Sequence, residues 1–194
     1  MLKNLPLRHR FASLALAVSI VGALASVVPQ GEAQALATWY GSWDYVLRHD
    51  ADGQPQAAFA RLRGENGALL WLTCQQQVVE AERPPIPFMA VAVAQKQYLG
   101  RSDLRGRSTV YWFDAGSPEV GQWIYRDRYG HVPDAEQVQA FVGKMAQARS
   151  LTIELSNYRY ETQRHEFRLN GDDTRSIADR FRKDCTDILG EAGK

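Results

Sequence analysis

Residues 151–189 read LTIELSNYRYETQRHEFRLNGDDTRSIADRFRKDCTDIL, and the change of rhythm inside this stretch decides the fold class. Leu151, Ile153 and Leu155 alternate with Thr152, Glu154 and Ser156, the pattern of a strand with one buried and one wet face. Arg164–Leu169 repeats it with His165, Phe167 and Leu169 on the inward side, which predicts an antiparallel return strand. Asn170-Gly171-Asp172-Asp173 turns the chain, and the period then becomes helical. Ile177, Phe181 and Cys185 recur at spacing four, predicting a helix over roughly 174–189.

Working outward from there, Asp134 and Gln137 form the start of a capping box. Val138, Phe141, Val142 and Met145 follow as one apolar stripe. Upstream the rhythm is two. Trp39–Leu47 reads as one strand interrupted by Gly41, with Trp39, Trp43, Tyr45 and Leu47 on a common face. Ala57–Arg63 returns after the turn Asp50-Ala51-Asp52-Gly53. Asn66-Gly67 marks a hairpin into Ala68–Gln75. Pro84-Pro85-Ile86-Pro87 is a stiff break before the apolar run Phe88–Ala94. Arg107–Asp114 and Val120–Tyr129 pair around Ala115-Gly116-Ser117-Pro118. The expected architecture is α+β: a predominantly antiparallel sheet of about eight strands, sandwich- or half-barrel-like, with two helices late in the chain.

The first 35 of the 194 residues do not belong to that pattern. Lys3, Arg8 and Arg10 precede the uncharged apolar run Phe11–Val28, and Ala33-Gln34-Ala35 follows as a small-x-small triplet. This is the order of a secretory signal peptide, with cleavage after Ala35 or, at the second triplet, after Ala37. The mature domain is then residues 36–194, and its location is periplasmic. An uncleaved N-terminal anchor to the inner membrane, facing the periplasm, is the alternative, because the apolar run reaches the lower length of a span. Removing three basic residues and one acid with the leader leaves 20 basic and 21 acidic residues, a net charge of −1. Nucleic-acid binders need a strongly basic surface, so that class is set aside. Nothing after Ala37 is long and apolar enough for a helical span.

Cys74 and Cys185 are the only cysteines. Cys74 follows Leu70 and Leu72 on an inward strand face, and Cys185 ends the stripe of the last helix. An oxidising compartment makes a structural disulfide the expectation. The bridge closes a loop of 111 residues, for which chain entropy gives roughly 4–5 kcal/mol. Cys-x-x-Cys and a neighbouring His are both missing, so neither zinc binding nor thiol exchange has its spacing.

No catalytic, cofactor or metal constellation is expected. His165 sits on an apolar face and reads as a core-edge histidine. His49 lies at an Asp-rich turn whose twelfth position, counted from Asp50, is Arg61 rather than an acid. For His131, before Pro133, a loop role suffices. Gly-x-Ser-x-Gly, Ser-x-x-Lys and phosphate-loop patterns do not occur. The one segment with character is Tyr98–Trp112. Arg101, Arg105 and Arg107, spaced by Gly100 and Gly106 and flanked by Tyr98 and Trp112, form a candidate partner or ligand patch. Arg126-Asp127-Arg128-Tyr129 would extend it if the hairpin brings them together. The charges of the last helix, Arg175 to Asp187, read as a solvent face.

The landmarks from Leu70 to Cys185 resemble small exported bacterial proteins of the VasI/TagO type, associated with type VI secretion. These landmarks are Leu70-Trp71-Leu72-Thr73-Cys74, Tyr98-Leu99-Gly100, Val110-Tyr111-Trp112-Phe113-Asp114, Gln122-Trp123, Phe141 through Leu151-Thr152-Ile153, Phe167-Arg168-Leu169-Asn170-Gly171, and a helix closing on Cys185. Thr186 stands where that family commonly has an aromatic, and Tyr111-Trp112-Phe113 occupies a segment where it has Arg. The resemblance implies a shared fold plan, and no catalytic residue carries over. The functional expectation is therefore an exported, non-enzymatic envelope protein, accessory or adaptor to a membrane or secretion assembly, with an envelope protein as partner. The alternative is a binding or inhibitor module for an anionic envelope ligand, such as a peptidoglycan fragment, or for a lytic enzyme.

Overall fold

Ten antiparallel strands form one sheet in the computed structural model, which describes residues 35–78 and 83–190, all within the unit Gly31–Lys194. They are β1 (Ala35–Tyr40), β2 (Trp43–His49), β3 (Pro55–Arg63), β4 (Leu69–Gln77), β5 (Ile86–Ala94), β6 (Arg107–Phe113), β7 (Glu119–Arg126), β8 (Tyr129–His131), β9 (Ser150–Ser156) and β10 (Thr162–Arg168). Two helices join them, α1 (Ala135–Met145) and α2 (Gly171–Leu189). The strand order is β1-β2-β3-β4-β5-β8-β7-β6-β9-β10. The leader and its triplet fall at 1–35, so that reading lies outside the described residues except for Ala35, the first residue of β1.

The α+β class is as expected, but the sheet has ten strands rather than about eight. Two turns account for the difference. Trp39–Leu47 is not one strand: Gly41, at φ +57°, reverses the chain and creates β1 and β2 as a hairpin. Trp39 therefore faces away from Trp43, Tyr45 and Leu47, opposite Asp44. Likewise Val120–Tyr129 breaks at Asp127, a non-glycine residue at φ +56°, leaving β7 and the short β8 antiparallel to each other. The last helix starts at Gly171, three residues earlier than its apolar spacing indicates, because the polar turn residues form its first turn.

Register places alternate residues in rows across the strands. Trp43, Tyr45 and Leu47 of β2 stand opposite Leu62, Ala60 and Ala58 of β3, which face Leu70, Leu72 and Cys74 of β4 and then Val93, Val91 and Met89 of β5. This inner face is almost wholly buried. The two alanines of β3 leave space for α2, which lies across β3 and β4 with Ile177, Phe181, Cys185 and Ile188 inward. Each such apolar side chain contributes about 1.5–3 kcal/mol by leaving water. Cys74 and Cys185 meet there with Cα atoms 5.7 Å apart, disulfide distance. The other helix, α1, is capped by Asp134, whose side chain accepts from the Gln137 amide at 2.9 Å. Its Phe141 packs 5.1–6.0 Å from Phe113, Tyr111 and Trp123.

The sheet curls until its last strand reaches the turn between β3 and β4. Phe167 of β10 lies so close to Gly64 that a Cβ there would stand 2.6 Å from its ring. Arg168 pairs with Glu65 at 3.5 Å, and His165 bonds Gln95 just beyond β5. This contact between distant parts of the sheet is a seam, and it builds the site described next.

Candidate functional site

The loop 95–106 leaves β5 at the seam and runs along two turns. Its backbone is tied to the end of β7 and the β7–β8 turn by Gln95 N–H to Arg128 O, Leu99 N–H to Asp127 O and Ser102 N–H to Tyr125 O, at 2.6–3.0 Å. The arginine segment and Arg126–Tyr129 are thus neighbours, and Arg101 pairs with Asp127 at 3.4 Å. Leu104, between Asp103 and Arg105, is 96% exposed at the loop tip.

The candidate patch does not stay together. Arg101 and Arg105 are exposed, Arg105 folding back on Asp103 at 3.3 Å. Arg107 is no longer available to a ligand. It sits on the inner face, its guanidinium 4.7 Å from the Tyr125 ring centroid, and donates to Leu99 O at 3.2 Å and Ser156 O at 2.8 Å. A charged fork satisfied by two carbonyls and a ring is a brace for the loop. Trp112 is five residues further along β6, about 16 Å in extended chain, and stacks under Arg164, which pairs with Glu154 at 2.8 Å. Tyr98 is half exposed, edge-on to Tyr158 at 6.1 Å.

What the structure assembles instead is a polar cleft of about 580 Å³ at the seam, lined by Asn66, Gln95, Lys96, Gln97, Gln163, Arg164 and His165. Gln95 continues the inward alternation Val91, Val93 by one step, so an amide stands at a core position and is only 7% exposed. Its Nε2 donates to Gln97 O at 3.3 Å, which turns Oε1 toward His165 Nε2. The proton is then on Nε2, and Nδ1 is a lone-pair acceptor with no partner among the described residues. Burial lowers the His165 pKa and keeps the ring neutral. Gln97 Nε2 donates to Glu161 Oε2 at 3.3 Å, and its Oε1 is a second buried, unpartnered acceptor. His165 is therefore a core-edge histidine with one open valence. The signal that could have found this site is the amide at the inward position after an apolar strand; its histidine partner, 70 residues away, has no local signal.

A second feature lies on the outer face of β1–β5, which no helix among the described residues covers. Here Trp39, Asp44, Arg61, Trp71, Ala92, His131 and Ile124 form one row, with Val46, Phe59, Thr73 and Ala90 in the next. Arg61 donates to Asp44 and lies 5.5 Å over Trp71, Arg48 lies 5.1 Å over Phe59, and Arg63 is exposed beyond them. Trp39 is 73% exposed. His131 belongs to β8 rather than to a loop, and burial, with Arg126 nearby, lowers its pKa.

On α2 the charged face has one exception to the solvent reading. Asp184 is buried, accepting from Tyr45 Oη at 2.7 Å and Arg180 Nε at 2.7 Å, and burial with this carboxylate pushes the tyrosine pKa far up. Among the described residues no group of three or more His, Cys, Asp and Glu is placed to hold a metal, and no helix is long and apolar enough to cross a membrane.

No protein-family model matches the chain, and no curated protein matches it. Among solved structures, invasion associated protein B from Bartonella henselae is similar at a TM-score of 0.38 and 10% identity, covering 76% of this chain and 99% of that chain.

Proposed function

We propose that the protein is an exported, non-enzymatic accessory of the cell envelope that docks an acidic protein partner through the outer face of β1–β5. The observation that carries this reading is the composition of that face. Trp39, Phe59 and Trp71 provide flat apolar area, and Arg48, Arg61 and Arg63 stand against a single acid among the described residues, Asp44. Aromatic and arginine side chains dominate the energetics of protein interfaces, and an excess of guanidinium selects a negative counter-surface. The leader-like order of the first 35 residues supports export. The resemblance to VasI/TagO-type proteins supports a secretion or membrane assembly as the setting, with the periplasm as the location.

The test is a crosslinking pull-down of the tagged, oxidised full chain from its own envelope, in three forms. The wild type and an Arg101→Ala/Arg105→Ala variant are expected to capture the same acidic protein in near-stoichiometric amount. A Trp39→Ala/Arg48→Glu/Arg63→Glu variant, with an unchanged unfolding midpoint, is expected to lose it. Equal capture by the face variant, or loss from the loop variant alone, would overturn the assignment of this face.

A further inference from the structure

We infer that the seam cleft is a binding site for a small carboxylated sugar, separate from the docking face and independent of that reading. Three properties of the cleft point to this class. First, two of its lining residues carry buried acceptors, His165 Nδ1 and Gln97 Oε1, that no donor among the described residues satisfies. A buried polar atom without a partner forgoes the hydrogen bond that water would give it, so the site favours an occupant that brings donors. Second, His165 is 4% exposed and held by Gln95, which makes its free lone pair a fixed rather than an adaptable acceptor. Third, Lys96 on the rim makes no ion pair among the described residues, whereas Arg164 opposite is already engaged by Glu154.

The ligand must therefore present hydroxyl or amide N–H donors toward His165 and Gln97, and a negative group toward Lys96. A sugar bearing a carboxylate has both on one small frame, and a cleft of about 580 Å³ accommodates a molecule of that size. The amides of Asn66 and Gln163 can both donate and accept along the sides, as sugar hydroxyls require. The site is framed by the β3–β4 turn, the strand end at Gln95 and β10, so it exists only where the curled sheet closes on itself. Gly64 permits that closure, because a side chain there would push Phe167, two residues from His165, out of place.

The experiment is a titration of the oxidised full chain with N-acetylmuramic acid and with its uncharged counterpart N-acetylglucosamine. It is followed by the side-chain amide NMR signals of Asn66, Gln95 and Gln97. Saturable shifts of these amides are expected with the acid, and affinity about fivefold weaker with the neutral sugar, the worth of one exposed ion pair. Lys96→Met is expected to close that gap. Gln97→Ala is expected to weaken both sugars by about three- to tenfold, the loss of one hydrogen bond. His165→Phe should abolish binding; if it does not fold, the two rim variants decide the matter by themselves. No saturation by about 10 mM of either sugar, shifts confined to other residues, or unchanged affinity in Gln97→Ala would each overturn the assignment and leave the cleft to ordered water.

Discussion

The two faces of β2–β5 are made from alternate residues of the same four segments, yet they have opposite chemistry. Trp43, Tyr45 and Leu47 point to a face sealed by α2 and tied to it by four bonds, one of them Gln76 Nε2–H to Ile188 O at 2.9 Å. The others are Trp43 Nε1–H to Thr174 Oγ1 at 3.1 Å, Tyr45 Oη–H to Asp184, and the Cys74–Cys185 pair. One residue over, Asp44, Val46 and Arg48 point to a face with no covering element among the described residues, where apolar area is held under guanidinium groups instead. The lesson is that alternation decides which side chains share a face, whereas the elements laid on a face decide whether it becomes core or surface. An apolar residue stabilises the fold only where something excludes water from it.

That contrast can be broken most strongly at the tryptophans. Trp43→Ala, on the inner face, is expected to cost about 3–5 kcal/mol in denaturant unfolding, through lost burial, a cavity and an orphaned Thr174 hydroxyl. Trp39→Ala, only a few residues away on the outer face, is expected to stay within about 0.5 kcal/mol of wild type. Comparable losses at the two positions would mean that the outer face is covered. Next in size, Cys185→Ser should destabilise by roughly 2–5 kcal/mol. Reduction of the wild type should then lower its unfolding midpoint to that of the variant; an unmoved midpoint would show that the bridge does not hold α2 to the sheet.

Smaller again is Tyr45→Phe, which keeps the ring and removes one donor from the buried Asp184, leaving Arg180 as its partner. A loss of about 1–3 kcal/mol is expected, and no loss would mean that Arg180 alone satisfies the carboxylate. The smallest effect concerns one histidine from each face. His165 and His131 have folded-state pKa values lowered below 6.5, so the unfolded chain binds more protons than the folded one once the pH drops below that value. Stability is therefore unaffected above neutrality and falls as the pH decreases through the unfolded value. A thermal midpoint lower at about pH 5 than at about pH 8, with the difference reduced in His165→Gln and His131→Gln, is the expected result. A drop of equal size in both variants would assign it to carboxylates alone.

Much of the fold was legible because its signals are local. The alternation of Leu151–Leu155, the stripe Ile177–Phe181–Cys185 and the inward position of Cys74 each need only a few residues of context. Together they bring two cysteines 111 residues apart onto facing buried surfaces. The strand count was not legible. Gly41 and Asp127 reverse the chain through positive φ, yet Trp39, Trp43, Tyr45 and Leu47 keep one period across the first reversal and Tyr125 and Tyr129 keep one across the second. The site was less legible still. Arg107 reads as a free cation beside Arg101 and Arg105, and only register reveals that it turns to the inner face and braces Leu99 and Ser156. Asp184 reads as one more charge of a wet helix face until Tyr45, 139 residues away, is found bonded to it.

Taken alone, the chain determined the antiparallel character of the sheet, the two helices and the inward faces that meet at the cysteines. Hydrophobic periodicity and turn chemistry act over distances of a few residues, and the sequence displays them directly. Only the tertiary structure decided which face of the sheet α2 covers, which arginines are spent on the fold, and that Gln95 and His165 meet at a seam. Those outcomes depend on how far the sheet curls, a sum of small twists over ten strands that no single segment encodes.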